Sequence, residues 1–416
     1  MGMWRRSLGR QFEWLWGAFA VSAVGTWLAF DAFPLIAITV LHSGPAQVSL
    51  LAAAGLAVGA AVAVPLGPWM EFRRKRPVMI AMDLARFGAI MTVPAAYALG
   101  WLTFAQLLAV SVVVSAADLT FTAASGAFLK SLVPREDLLV ANGRFESTNW
   151  TASMLGPPLG GAAIGIFGPV TTVTANAVSF LLSAIGVRAI GGHEAPPVRK
   201  SETSAGDDGG LLEGWRYLLT SPVLRPLLLN NVVVNGLIMA SAPLLAVLML
   251  GHLGFAPWQY ALAFAVPCTG GLIGSRVSRP LVARFGQYRI LVVFGSLRAV
   301  WPVGLAFVQP GVPGLAVVML VEGGLIFCSG VFNPVSATYR LNHAPPGRVA
   351  RVLSAWSVTS KTTIATMTGL WGVLASLTSA RIAIGAAGVL LLATPLMIPR
   401  HDRAPEPERE LAPARG

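Results

Sequence analysis

The sequence predicts an all-α integral membrane protein of twelve transmembrane helices in two bundles of six, with both termini on the cytoplasmic side. Three observations carry that prediction. Apolar residues make up 55% of the 416, charged residues only 12%, and mean hydropathy is +0.68, outside the range of soluble domains. Apolar stretches of about 20 residues, enough for one crossing each, recur along the whole chain. The cations between them fall almost entirely in alternate loops, the pattern that insertion imposes on loops left inside.

The first six spans cover residues 12–40, 48–70, 78–99, 102–128, 138–167 and 170–190. The first follows Arg5, Arg6 and Arg10 and has no small-residue cleavage site beside a short apolar core, so it reads as a span and not a removable signal. The second six cover 224–250, 258–277, 290–308, 314–335, 352–377 and 382–398. Between the first two spans and the third, Arg73, Arg74, Lys75 and Arg76 form an unbroken cationic run, which fixes that loop as inside. Lys130, Arg135, Arg199, Lys200, Arg276, Arg279, Arg284, Arg340, Arg348, Arg400 and Arg403 then also fall inside, and Arg381 alone stays outside. Opposite loops at 42–47, 100–101, 168–169, 251–257 and 309–313 carry no Lys or Arg. Trp14, Trp16, Trp69, Trp101 and Trp258 sit at span ends, where an indole favours the headgroup level.

The domain organisation follows. Residues 1–190 form the first bundle, and 191–221 form a cytoplasmic linker rich in Gly, Pro, Ser and charge. Its last stretch, 211–220, is amphipathic, carries Trp215 and Tyr217, and is expected to lie on the inner membrane surface. Residues 222–399 form the second bundle, and 400–416 a charged, Pro-rich tail expected to be disordered.

Composition also excludes function classes. A net charge of +12 spread over alternate loops is a topology signal, with no nucleic-acid reading motif. None of the lysines, Lys75, Lys130, Lys200 and Lys361, ends a phosphate-binding loop, so ATP is not the evident energy source. Cys268 and Cys328 fall inside apolar segments, and His42, His193, His252, His343 and His401 fall in loops or tails without ligand spacing. No enzyme activity, metal or cofactor is therefore expected.

An internal repeat relates the halves. The stretch Arg76 to Arg86 aligns with Tyr288 to Arg298 at an offset of 212 residues, and Pro134 falls on Pro346 at the same offset. Two homologous halves suit a protein that rocks about a site near the midplane.

The segment Gly67-Pro-Trp-Met-Glu71-Phe-Arg73-Arg74-Lys75-Arg76 resembles the Gly-x-x-x-Asp-Arg-x-Gly-Arg-Arg signature of major facilitator superfamily transporters. Glu71 replaces Asp, Phe72 replaces Arg and Arg74 replaces Gly. Gly156-Pro157-Pro158-Leu159-Gly160-Gly161 resembles the Gly-Pro-x-x-Gly-Gly element of that superfamily's drug and proton antiporters, and its small residues also suit close helix packing. With 132–142 and 176–180, the first half is similar to the branch of enterobactin exporters and macrolide efflux proteins. The resemblance implies the superfamily's fold, with a gating loop of Gly67, Glu71, Arg73, Arg74, Lys75, Arg76, Asp83 and Arg86.

Ionisable residues inside spans need a partner or a watery path. Asp31, Asp118 and Glu322 fall on spans that line the central cavity in the superfamily, as do Asn231 and Asn235, so an acidic, amide-bearing cavity for protons or a cationic substrate is expected. Lys361 reads either as its counter-ion or as the neutraliser of an acidic neighbour. Asp31 lies nine residues before Val40, about 14 Å deep at the helical rise of ~1.5 Å per residue. It therefore needs a wet cavity, a cation or a proton. Arg86 and Arg298 are expected to pair with loops or snorkel inward, and Arg144 and Glu146 to act with Glu71 and Asp83 as gate partners.

The functional expectation is proton-coupled efflux of a small organic molecule by a monomer in a bacterial cytoplasmic membrane, with protons and the lipid bilayer as its other partners. The alternatives are a proton-coupled importer, or a membrane receptor or scaffold that does not transport.

Overall fold

The computed structural model describes residues 8–29, 32–42, 73–191, 212–345 and 348–398, with isolated helical positions at 51, 57, 61 and 65. Asp31, Gly67 and Glu71 lie outside these described residues, as do most of the second span, residues 192–211 of the linker and the tail.

In the first half α1 (Arg10–Leu28), α2 (Ala32–Thr39), α3 (Lys75–Ala98), α4 (Phe104–Leu132), α5 (Leu138–Phe167) and α6 (Pro169–Ala189) follow one another. The short α7 (Glu213–Thr220) precedes α8 (Leu224–Ala246), α9 (Pro257–Phe285), α10 (Gln287–Val300), α11 (Val312–His343), α12 (Val349–Leu377) and α13 (Ala380–Ala393). Eight of the described helical stretches are long and apolar enough to cross a membrane.

The helices α1 and α2 lie in the first expected span, and residues Arg10–Ile38 count as one candidate crossing. Pro34 lies in the first turn of α2, where a missing N–H costs nothing. Elsewhere capping sets the boundaries. Thr103 Oγ1 accepts from Gln106 N at the start of α4, and Ser379 Oγ from Ile382 N at the start of α13. Gly286, at φ 84°, makes the sharp turn between α9 and α10 that a side chain would strain.

Within the first half α1 packs on α5 and α6, and α3 on α4 and α6; within the second, α8 packs on α12 and α13, and α11 on α9 and α10. The halves meet where α5 packs on α9 and α11, and α4 on α12. Apolar burial divides the molecule the same way. One core joins both halves at the end where α4 leads into α5 and α11 into α12, with Phe12, Phe128, Leu138, Phe332, Leu353 and Trp356. At the other end each half has its own core, around Ile90, Leu107 and Phe180 in the first and around Leu245, Met249 and Val318 in the second. Among the described residues the halves therefore share a core at the end that carries the cationic loops and have separate cores at the other.

The helix α7 departs from expectation. Its aromatic residues are committed to protein contacts: Trp215 Nε1 donates to Thr359 Oγ1 at 2.9 Å and Tyr217 Oη to His343 O at 2.9 Å. Glu213 accepts from Arg348 Nε at 2.8 Å and also pairs with Arg351. These bonds dock α7 on α12, where a surface helix would present its aromatic face to lipid.

Candidate functional site: a cavity between the halves

A cavity of 300 Å³ lies between α1, α3, α4 and α5 of the first half and α11 and α12 of the second. Its polar wall is Thr26, Arg86, Asp118, Asn142, Asn149 and Arg340; Phe19, Phe121, Phe145 and Leu353 supply apolar surface. Apolar walls with a few convergent polar groups are the usual build of a small-molecule site.

The charged part of that wall is a network. Arg86 Nη2 pairs with Asp83 on its own helix, and Nη1 reaches Asp118 Oδ1 on α4 at 3.3 Å. Asp83 and Arg86 are almost wholly buried, at 0% and 4% side-chain exposure, whereas the Asp118 side chain is 46% exposed and faces the cavity. The guanidinium also lies 4.2 Å from the Phe180 ring centroid and 4.7 Å from that of Phe121. Arg298, at the position the repeat assigns to Arg86, is fully buried; it donates to Asn230 Oδ1 at 2.7 Å and lies over Phe332. Neither arginine snorkels or pairs with a loop, because buried acceptors and aromatic faces are available inside the bundles.

The cavity differs from the acidic one expected. Of the described acids, Asp118 alone lines it, and two cations, Arg86 and Arg340, share the wall with it. Asn231 and Asn235 bond each other at 3.2 Å, and Lys361 makes no ion pair among the described residues. Glu322, 8% exposed, has no hydrogen-bond partner among the described residues and lies close enough to Tyr260 and Cys268 on α9 to act on both. Arg340, expected in a loop, lies in α11, which runs two turns past the apolar stretch; its guanidinium sits 4.5 Å from the Trp356 ring centroid.

The gating loop is distributed differently as well. Arg76 donates to the carbonyls of Ile190 and Arg188, capping the C-terminal end of α6, while Lys75 Nζ bonds Arg73 O and Arg74 is the N-cap of α3. Asp83 and Arg86 sit inside the first bundle. Arg144 bonds Glu13 Oε1 at 2.6 Å within its own half.

Of the expected gate partners Glu146 does cross between the halves, with groups the sequence reading did not single out for the gate. Asn142 Nδ2 donates to Thr338 Oγ1 at 2.9 Å, Ser147 and Ser275 hydroxyls meet at 2.6 Å, and Lys130 Nζ donates to Ala344 O. Asn333 Nδ2 donates to Glu146 Oε1 at 2.7 Å. All four lie at the end where the core is shared.

The Gly-Pro element works through two of its glycines. A Cβ on Gly156 would overlap Trp27, and one on Gly160 would overlap the Leu28 carbonyl, so both seat the end of α1 on α5; Gly161 has open space. A second cavity, of 520 Å³, lies beside that contact between α1, α5 and α9, with Arg144, Arg276 and Arg279 in its wall.

Sequence reasoning missed Asn149, Arg340 and Asn333. Asn142, Glu146 and Asn149 recur at helical spacing on α5, and that polar face was the available signal.

The comparisons agree with this architecture. Residues 15–331 match the family model described as Major Facilitator Superfamily. The chain is 26% identical over 362 residues to the multidrug efflux pump Tap of Mycolicibacterium fortuitum, covering 81% of this chain and 83% of that protein. Among solved structures, a bacterial homologue of the iron transporter ferroportin in its outward-facing state superposes with a TM-score of 0.80 at 15% identity, covering 94% of this chain and 98% of that one. The human organic anion transporter MFSD10 superposes at 0.72 and 15%, with 93% and 99% coverage. The chain belongs to the Major Facilitator Superfamily of transporters.

Proposed function

We propose that the chain exports a small organic molecule, a drug, antibiotic, siderophore or secondary metabolite, against proton entry across a bacterial cytoplasmic membrane. It works as a monomer of twelve spans in two six-helix bundles with both termini inside. The observation that carries the reading is, among the described residues, the large apolar core shared at the cation-rich end against separate cores at the other. That arrangement fits one state of an alternating-access cycle, sealed toward the cytoplasm. The Tap relatives, named as multidrug efflux pumps, favour export.

In this reading the 300 Å³ cavity holds the substrate, and Asp118, exposed in its wall and tethered to Arg86, exchanges its arginine contact for a proton or a cationic group. Asp31 has the same role from the first span, and Glu322, Asn231, Asn235 and Lys361 assist from the second half. Glu71, with Gly67 and the Arg73 to Arg76 run, holds the inner gate. Gly156, Pro157 and Gly160 keep α1 and α5 in register, with Gly161 leaving that helix face open.

The test is accumulation of a panel of antibiotics and lipophilic dyes in a pump-deficient host. Cells making the wild-type chain should retain less of at least one compound, and cells making equal amounts of Asp118→Asn should not. Equal retention of every compound with and without the chain contradicts export.

A further inference from the structure

The 520 Å³ cavity lies on the far side of α1 from the 300 Å³ one. Phe19, Ala23 and Thr26 face the smaller cavity, whereas Trp16, Ala20 and Val24 line the larger. The faces of α5 divide in the same way: Asn142, Phe145 and Asn149 turn to the smaller cavity, and Arg144, Ser147 and Thr151 to the larger. The larger cavity is a groove in the outer surface of the bundle, because Val24 in its wall and Leu155 and Ile273, which continue the walls on α5 and α9, are exposed. In a membrane-spanning bundle that surface meets lipid.

The charge in the groove is concentrated at one level. Arg144 lies six residues into α5 and Arg279 six residues before the end of α9, each about 9 Å from the helix end on the cation-rich side at a rise of ~1.5 Å per residue. Arg276, one turn further along α9, is exposed and has no hydrogen bond or ion pair among the described residues. Arg144 bonds Glu13 and lies 5.9 Å from the Trp16 ring centroid. The hydroxyls of the groove are already used. Ser147 meets Ser275, Thr148 accepts from Trp16 Nε1 and donates to Arg144 O, and Thr151 donates to Ser147 O. Guanidinium groups are therefore the donors left for a ligand. Beyond them the wall turns apolar, with Ala20, Val24 and Ala152; α1 rises about 12 Å from Trp16 to Val24.

Cations at the headgroup level beside an apolar groove fit an amphiphile with a phosphate at one end and an alkyl chain at the other, since the guanidinium fork matches phosphate oxygens. We infer that this groove binds an anionic phospholipid of the leaflet at the cation-rich end. Its phosphate lies on Arg276 with Arg144 and Arg279 beside it, and one acyl chain runs along Ala20, Val24 and Ala152. A net-negative headgroup is selected, because an ethanolamine or choline ammonium would be brought against three cations. The site draws on both halves, and the Ser147 to Ser275 bond between them lies in its wall. Bound lipid thus favours this arrangement over one in which α5 and α9 part, by as much as it binds the first more tightly.

The test needs neither substrate nor gradient, so it is independent of whether the chain transports. Native mass spectrometry of the full chain in detergent reads occupancy, with phosphatidylglycerol and phosphatidylethanolamine of identical acyl chains as probes. The wild-type chain should retain phosphatidylglycerol in preference to phosphatidylethanolamine. Arg276→Gln should weaken that retention about fivefold, the share of one cation near an anionic lipid. Arg284→Gln, which removes an exposed arginine on α9 outside the groove, should leave it unchanged. Val24→Trp, which fills the apolar part and spares the arginines, should lower it as well. Excess inorganic phosphate should not displace the lipid. Equal retention of the two lipids, equal loss in Arg276→Gln and Arg284→Gln, full retention in Val24→Trp, or displacement by inorganic phosphate overturns the site. Arg276 bonds no described residue, so its substitution should leave the fold intact. Should Arg276→Gln nonetheless fail to fold, melting of the wild-type chain decides: phosphatidylglycerol should raise its melting temperature and phosphatidylethanolamine should not, and an equal rise with both overturns the site.

Discussion

Replacing Arg86 by Met removes the only cation bonded, among the described residues, to the fully buried Asp83 carboxylate. Asp83 is 0% exposed, one of its oxygens already lacks a partner, and the other depends on Arg86. Breaking a buried pair by deleting one member costs about 3–5 kcal/mol, because the remaining charge is uncompensated. The contact to Asp118 adds little, since a side chain 46% exposed is hydrated already and such pairs contribute roughly 0–1 kcal/mol. Met keeps most of the contact with Phe121 and Phe180, so packing loss is minor. The loss is thus assigned to Asp83, and Asp83→Asn in the Arg86→Met background should restore part of it. What remains is one buried amide without partners, about 1–3 kcal/mol. Denaturant or thermal unfolding of purified protein in detergent reads the series. The reasoning is refuted if Arg86→Met unfolds like wild type, or if the double variant is less stable than Arg86→Met alone.

Other outcomes follow from the packing. Gly160→Ala should destabilise by about 1–3 kcal/mol, the usual cost of overpacking, because its Cβ meets the Leu28 carbonyl, while Gly161→Ala stays within about 0.5 kcal/mol; parallel melting curves compare them. Glu213→Gln loses the carboxylate shared by Arg348 and Arg351, so α7 should detach from α12 and limited proteolysis near Glu213 should speed up. Reporter fusions at Gly100 and Gly251 should read outside and those at Ser201 and Arg348 inside, and an outside signal from Ser201 would reverse the topology.

The fold was legible because lipid constrains sequence severely: a backbone in hydrocarbon must be helical, and loop cations record which side stayed inside. The repeat was legible too, and Arg86 and Arg298, which it aligns, are both buried inside their bundles. The site was less so, because apolar length marks where lipid is met and not where a helix stops. Arg340 was assigned to a loop for that reason, although α11 continues to His343. Glu322 shows a second limit: an acid on a cavity-lining helix can face its neighbour, here α9, and one sequence does not reveal the rotation. The bonds that seal the halves, Asn142 to Thr338 and Asn333 to Glu146, join residues 196 and 187 positions apart, and no local pattern announces such pairs.

The central claim is that proton entry drives export through the cavity holding Asp118. It is tested most directly in inside-out vesicles energised by respiration, with a pH-sensitive acridine dye reporting the proton gradient. The compound whose cellular accumulation the chain lowers is then added. The account predicts that it dissipates part of the gradient in vesicles containing the wild-type chain, and not in those containing equal amounts of Asp118→Asn. Export of that compound without any proton movement, or undiminished after an uncoupler has collapsed the gradient, would contradict it.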